Sequence, residues 1–83
     1  MKVTVKYFAS IREAIGPGSE AVETAARSCG ELRDELLARG GAYAQVLARG
    51  KAVRIAKDQV MSDESATLVE GCEVAFFPPV TGG

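Results

Sequence analysis

The most distinctive chemistry of this sequence lies at its end, AFFPPVTGG. Pro78 and Pro79 lack a backbone N–H, so a β-ladder that reaches them must stop, and their fixed φ keeps the chain extended. Val80 and Thr81 follow with modest side chains. The sequence therefore predicts a stiff tail, residues 78–83, that projects from the end of a strand anchored in the core.

The two final glycines leave the main chain itself as the reactive group. Gly82 and Gly83 carry no Cβ, so they fit a channel that is too narrow for other residues. The group displayed at the tip is the α-carboxylate of Gly83, which is ionised at neutral pH. A carboxylate can attack the α-phosphorus of ATP, and the resulting acyl-adenylate accepts a sulfur nucleophile. The predicted product is a C-terminal thiocarboxylate. Its formation requires no catalytic side chain on the carrier.

The side chains elsewhere offer little for catalysis. The 83 residues include no histidine, which removes the commonest general base and the commonest metal ligand, and we predict no metal site. Cys29 and Cys72 lie far apart and form no C-x-x-C motif. In a reducing compartment they are interpreted as small buried hydrophobic residues rather than as a disulfide.

Composition indicates one ordinary globular domain, residues 1–83. Hydrophobic residues make up 47% of the chain and charged residues 25%, which argues against disorder. A net charge of −1 offers no basic field for nucleic acid or for an anionic membrane. No apolar run approaches the roughly 20 residues that cross a bilayer, and MKVTVKYF alternates instead of forming a signal peptide. We therefore expect a cytoplasmic protein with neither a nucleic-acid nor a membrane partner.

The first third of the chain has the pattern of a hairpin that encloses a short helix. KVTVKYF alternates, with Val3, Val5 and Tyr7 on the buried face and Phe8 on the opposite, solvated face. ASIREAIG predicts one or two helical turns before the breaker GPG. EAVETAA then predicts a second strand that returns alongside the first.

The middle of the chain predicts the main helix. Ser28 precedes Glu31 by three residues, the spacing of a capping box. GELRDELLARGG follows with three leucines on one side, and Gly40 is suited to a left-handed cap at its end. AYAQVLARG predicts a second short helix.

The last third predicts strands. AVRIA and VMS are short strands joined across KDQ, where Asp58 suits a turn, and ATLV packs a further apolar turn into the core. CEVAFF is the last strand, which we expect to pair with the first because both are strongly apolar. The predicted fold class is α+β, with one mixed sheet and the main helix packed across one face.

Several segments together resemble a known family. EGCEVAFFPPVTGG closely resembles the C-terminal signature of the small, ubiquitin-like sulfur-carrier subunit of molybdopterin synthase. VKYFASIREAIG resembles the first strand and helical turn of that family, and the spacing of GELRDELLARG and RIAKDQVM agrees with it. The resemblance covers essentially the whole chain. It implies a ubiquitin-like β-grasp fold with an extended C-terminal tail.

The resemblance also implies a function. An E1-like activating enzyme would use ATP to adenylate Gly83, and a sulfurtransferase would supply the sulfur of the thiocarboxylate. The tail would enter the large catalytic subunit of the synthase and donate sulfur to cyclic pyranopterin monophosphate, giving molybdopterin. Two carriers on a dimer of large subunits would form a heterotetramer. No cofactor would be bound permanently, and glycyl adenylate and C-terminal 1-thioglycine would be the modified states.

In that family, apolar residues on the exposed sheet face beside the tail contact the partner. The matching positions are Phe8, Met61 and Phe77. For Phe8, simple packing at the sheet edge is an equal alternative.

Three other functions stay open at this point. The first is a sulfur carrier for thiamine synthesis or tRNA thiolation, although the Pro-Pro pair of FFPPVTGG favours the molybdopterin branch. The second is a ubiquitin-like modifier whose tail forms isopeptide bonds with lysines. The third is an enzyme with Cys29 or Cys72 as its nucleophile.

Overall fold

The computed structural model of the protein describes residues 1–79. The strands and helices are, in chain order, β1 (Lys2–Tyr7), α1 (Ala9–Ile15), β2 (Ser19–Glu23), α2 (Cys29–Leu37), α3 (Gly41–Val46), β3 (Arg54–Lys57), β4 (Val60–Ser62) and β5 (Glu73–Phe77). Every predicted element is present, with ends that shift by up to four residues from the predicted ones. The predicted tail residues Val80, Thr81, Gly82 and Gly83 lie outside the described residues.

The five strands form one mixed sheet in the order β2-β1-β5-β3-β4. The central pair, β1 and β5, is parallel, with Val5 opposite Val74, and the other three pairs are antiparallel. This confirms the predicted pairing of the last strand with the first. A parallel pair needs a crossover connection, and here that connection carries the main helix α2 across one face of the sheet. The arrangement is the β-grasp that the sequence predicted.

The core lies between the sheet and α2. Val3, Val5 and Tyr7 of β1 are buried, as their alternation predicts. Leu32 and Leu36 of α2 belong to the same hydrophobic cluster. Burying an aliphatic side chain of this size contributes about 1.5–3 kcal/mol, so the alternation of β1 and the leucine face of α2 together supply much of the folding energy.

The start of α2 carries a modified form of the predicted capping box. The Ser28 hydroxyl accepts a hydrogen bond from the Glu31 N–H at 3.2 Å, as predicted. The Glu31 carboxylate, however, accepts from the N–H of Arg27 at 3.0 Å, one residue before the usual partner. Ser28 instead lies opposite Thr67 in an isolated antiparallel bridge, in which the Cys29 N–H donates to the Ala66 carbonyl and the Leu68 N–H donates to the Arg27 carbonyl. The cap therefore also secures the chain segment that enters the helix.

The predicted left-handed cap at Gly40 is wrong. Helix α2 closes at Ala38, which has right-handed helical angles. Gly40 does adopt a positive φ of 75°, but its ψ of −164° is far from left-handed helical values, and it serves as the N-cap of α3. The glycine provides the sharp change of direction between two helices, because this backbone conformation is open to a residue without a Cβ.

The turn between β3 and β4 lies at Asp58, as predicted, but it is a two-residue connection because Lys57 belongs to β3. Asp58 and Gln59 both have positive φ, 50° and 68° respectively, as in a type I′ hairpin turn. The Asp58 carboxylate also accepts a hydrogen bond from the backbone N–H of Glu73 at 3.0 Å. This contact ties the hairpin turn to the start of the central strand β5.

Candidate functional site

The predicted tail leaves the fold from the central strand. β5 ends at Phe77, directly before Pro78, in agreement with the expectation that the prolines stop the ladder. β5 pairs with β1 on one side and with β3 on the other, and Phe76 is fully buried. Pro78 is half-buried and Pro79 is exposed. The base of the tail is therefore held by hydrogen bonds on both flanks of β5, up to the residue where the prolines begin.

The three predicted surface residues share the outer face of the sheet. The rings of Phe8 and Phe77 stack with centroids 4.6 Å apart and planes 9° apart. Phe77 is paired with Arg54, and Met61 lies one strand further out, opposite Ala56. Phe8 and Met61 remain 39% and 58% exposed. Phe8 follows β1, an interior strand, so it does not lie at the sheet edge. It packs on Phe77 and presents apolar surface to solvent, and the role of this face in binding stays a prediction.

A shallow apolar cleft of about 300 Å³ lies between these residues and the prolines. We call it the sheet-side cleft, and it is lined by Ala9, Arg54, Met61, Phe77, Pro78 and Pro79. Two small residues of neighbouring strands, Ala56 and Ala75, are paired on the same outer face and are buried. Because alanine side chains are short, they leave a depression in the outer face of the sheet between the larger side chains. The alternation of EVAFF already indicated that Ala75 and Phe77 share one face of the strand, but the sequence did not indicate which strands would be neighbours.

A second cleft of about 410 Å³ lies on the other side of the tail base. It is lined by Ser10, Ile11, Val46, Lys51, Ala52 and Val53, together with the two prolines, and we call it the helix-side cleft. The sequence did not predict it, because its walls come from α1, α3 and the segment before β3. The two prolines therefore form a ridge with an apolar cleft on each side.

A buried arginine holds the wall of the helix-side cleft. Arg33 of α2 is only 3% exposed. Its guanidinium donates hydrogen bonds to the carbonyl oxygens of Leu47 at 2.8 Å, Ala48 at 2.6 Å and Lys51 at 3.0 Å. It also forms an ion pair with Glu64 at 2.8 Å. A buried charge with this many partners fixes the backbone of the segment that leads into the cleft wall.

A second arginine reinforces the same region from the surface. Arg49 forms ion pairs with Asp34, at 2.7 Å, and with Glu64. It also donates to the carbonyl oxygen of Gly30 at 3.0 Å. The hydrogen bond from Arg49, together with that from Arg33, lowers the pKa of Glu64 although partial burial opposes the shift. Glu64 is consequently ionised and satisfied at neutral pH.

The half-buried carboxylate of Glu20 joins α3 to the sheet. Glu20 accepts hydrogen bonds from the hydroxyls of Tyr7 and Tyr43, both at 2.8 Å, and forms an ion pair with Arg39 at 2.9 Å. Burial, and then the Glu20 hydrogen bond, raise the pKa of Tyr7 above its usual range. For Glu20, burial opposes ionisation, but hydrogen bonds from Arg39 and both tyrosines lower its pKa overall.

The cysteines are buried, as predicted, and they form no disulfide with one another. Burial raises the pKa of Cys29 to about 11, so its thiol is protonated at neutral pH and is a weak nucleophile. In the part of the chain that the structure describes, no group of three or more acidic or cysteine side chains is arranged to hold a metal ion. Within residues 1–79, no helix is both long and apolar enough to cross a membrane.

Comparison with known proteins identifies the family. The model of the ThiS family matches residues 5–83. The chain belongs to this family. Within it, the molybdopterin synthase sulfur carrier subunit of Haemophilus influenzae is 37% identical over 81 residues, covering 98% of this chain and 99% of the relative. The resemblance seen in the sequence is thereby confirmed over nearly the full length of both proteins.

Solved structures agree with the ThiS family fold. One is a complex of subunits 1 and 2 of the molybdopterin-converting factor from Helicobacter pylori, to which this chain is similar with a TM-score of 0.69 and 25% identity; the alignment covers all of both chains. Another is SAMP1 from Haloferax volcanii, with a TM-score of 0.78, 22% identity and full coverage of both chains. The second likeness shows the fold alone. Together they confirm the ubiquitin-like β-grasp prediction.

Proposed function

We propose that this protein is the sulfur carrier of a molybdopterin synthase. The observation that carries the proposal is the full-length similarity to a molybdopterin synthase sulfur carrier subunit, in a chain whose central strand ends at the base of a Pro-Pro-Val-Thr-Gly-Gly segment. The body of the fold holds the tail base through the pairing of β5 with strands on both sides, and both cysteines are buried. The working group is then the carboxylate of Gly83, as in the sequence-based hypothesis.

The chemistry proceeds in two steps on Gly83. A carboxylate oxygen attacks the α-phosphorus of ATP within an E1-like activating enzyme, forming the glycyl adenylate and releasing pyrophosphate. Sulfide (HS⁻) supplied through a sulfurtransferase then attacks the carbonyl carbon, displaces AMP and loses its proton. The product is the C-terminal 1-thioglycine. ATP is consumed by the activating enzyme, and the carrier itself keeps no bound cofactor.

The thiocarboxylate is then used in the large catalytic subunit of the synthase. There it donates sulfur to cyclic pyranopterin monophosphate, which is converted to molybdopterin. The similarity to a chain in a complex of subunits 1 and 2 of the molybdopterin-converting factor supports a partner of this kind. The outer-face residues Phe8, Met61 and Phe77 form the contact surface in this proposal, and two carriers with two large subunits make up the assembly.

The proposal is tested by reconstitution followed by intact-mass spectrometry. The purified protein is incubated with the activating enzyme, ATP and a sulfur source, and its mass should increase by the difference between sulfur and oxygen. Addition of the large subunit and cyclic pyranopterin monophosphate should return the original mass and yield molybdopterin. A variant that lacks Gly82 and Gly83 is the control. If that variant transfers sulfur at the full rate, the proposal is wrong.

The other carrier functions are separated by the choice of acceptor. The charged protein is offered in parallel to the molybdopterin synthase large subunit and to the acceptors of thiamine synthesis and tRNA thiolation. We expect rapid sulfur loss with the first alone. Immunoblots of cell lysate should show the free carrier, whereas a ladder of larger conjugates would favour a protein modifier.

A further inference from the structure

The two clefts beside the tail carry one cation each. Lys51 lines the helix-side cleft and Arg54 lines the sheet-side cleft, and both are exposed. Pro78 and Pro79 line both clefts and lie between them. The base of the tail is therefore flanked by two positive charges and two apolar depressions.

Neither cation has an acidic partner in residues 1–79, where the ion pairs involve other basic groups. No aspartate or glutamate lines either cleft. Arg54 also borders a further depression lined by Asp63 and Glu64, but Glu64 is already paired with Arg33 and Arg49, and neither carboxylate forms an ion pair with Arg54. In a chain with a net charge of −1, the tail base thus carries two cations that form no ion pair among residues 1–79.

We propose that this surface docks onto an acidic and apolar rim around the channel that receives the tail. The receiving protein places an apolar side chain in each cleft and a carboxylate opposite Lys51 and opposite Arg54. This inference rests on the proposed function, because it assigns the chemistry of the partner surface that the carrier meets. Since the two cations lie in different clefts that share the prolines, pairing both of them fixes the orientation in which Pro78 and Pro79 meet the partner.

A second copy of this chain fits the surface less well. A two-fold interface brings the same patch of both subunits together, so a patch with cations and no carboxylates would face its own charge. Like charges placed across an interface are unfavourable, and the partner must instead supply the negative groups. Charge complementarity therefore favours a different, acidic partner.

The position of the cations predicts how they act. Exposed charges at the rim of an interface change the association rate and its salt dependence more than the dissociation rate. Each reversal to glutamate should slow association by about tenfold at low ionic strength, with a smaller effect at high salt. The chemical step should be unchanged once the complex has formed, because neither side chain carries sulfur.

The test uses the full-length carrier and the molybdopterin synthase large subunit in stopped-flow binding at low and high salt. The variants are Lys51→Glu, Arg54→Glu and the double variant. Arg27→Glu is the matched control, since it makes the same charge change at an exposed residue outside both clefts. We expect slower association and a weaker salt dependence for the cleft variants, and wild-type behaviour for the control. Thermal melts verify folding, and Lys51→Gln and Arg54→Gln replace any variant that melts early.

The outcomes separate this inference from the proposed function. If the wild-type carrier transfers sulfur but the cleft variants associate as fast as Arg27→Glu, the proposal of an acidic rim on the partner is wrong and the proposed carrier function stands. If the wild-type carrier neither binds the large subunit nor accepts sulfur, both proposals fail. If sedimentation shows a wild-type dimer that the cleft variants abolish, the surface belongs to a second copy and the inference is overturned.

Discussion

At the residue scale, the interior polar groups connect elements that the hydrophobic core alone would leave loosely joined. Glu20 links β2 to Tyr7 of β1 and to Tyr43 of α3, and Arg33 links α2 to the segment after α3. In residues 1–79, every fully buried side-chain nitrogen or oxygen has a hydrogen-bond partner. A small domain has a thin core, so satisfied polar contacts of this kind contribute much to a single well-defined structure.

The Glu20 network predicts a specific loss of stability in acid. Because the pKa of Glu20 is lowered in the folded state, its contribution is complete above its ordinary pKa of 4.5 and is lost as the pH falls through the lowered value. Glu20→Gln should therefore be less stable than the wild type at neutral pH and should lose less stability on acidification. Urea unfolding measured from about pH 7 to pH 3 tests this.

The control for this prediction is Glu13→Gln on the exposed surface of α1. It removes the same charge without breaking an ion pair of the described residues. Its stability should follow the wild-type pH profile. Equal pH profiles for Glu20→Gln and the wild type would mean that the network does not contribute to acid stability.

At the element scale, the β3–β4 hairpin carries a conformational cost at its turn. A residue with a Cβ is disfavoured at positive φ, and Gln59 adopts 68°. Gln59→Gly should stabilise the protein by about 0.5–1 kcal/mol, since Asp-Gly is a preferred pair for this turn and Asp58 keeps its hydrogen bond to Glu73. The free energy of unfolding in urea measures the gain.

The matched control is Gln59→Ala, which removes the same polar group but keeps the Cβ. It should give no stabilisation, because the cost arises from the Cβ and not from the amide. If alanine stabilises as much as glycine, the effect belongs to the side chain and the backbone argument is wrong.

At the scale of the whole molecule, the fold and the reactive end are separate parts. The last strand ends at Phe77, and the group that we propose to react lies six residues further, at Gly83. One residue added after Gly83 should abolish sulfur transfer while the melting temperature stays within about 1 °C of the wild type. Gly82→Ala should also slow transfer, because its Cβ would clash in a narrow channel.

Thr81→Ser is the matched control for the tail variants, since it changes a tail side chain without adding bulk. It should transfer sulfur close to the wild-type rate. Full activity of the extended protein or of Gly82→Ala would contradict the narrow-channel argument, and a large drop in melting temperature would place the tail in the core.

The sequence by itself determined the elements and the interpretation of the tail. Alternation in β1, the Ser28 cap and the Pro78 stop are local signals, because they depend on residues within a few positions of each other. The family resemblance was equally visible, since its signature is continuous in the chain. At Gly40 the local rule that a glycine after a helix forms a left-handed cap failed. Gly40 is instead the N-cap of α3, so its ψ depends on where that next helix begins.

Only the tertiary structure decided which residues become neighbours across the chain. Phe8 stacks on Phe77 because β1 and β5 pair, and Arg33 reaches the carbonyls of Leu47 and Ala48 because α2 packs beside α3. Periodicity records which face of an element is apolar, but not which element covers it. The two clefts with their cations arise at such junctions, so they could be found only after the strands and helices had been assembled.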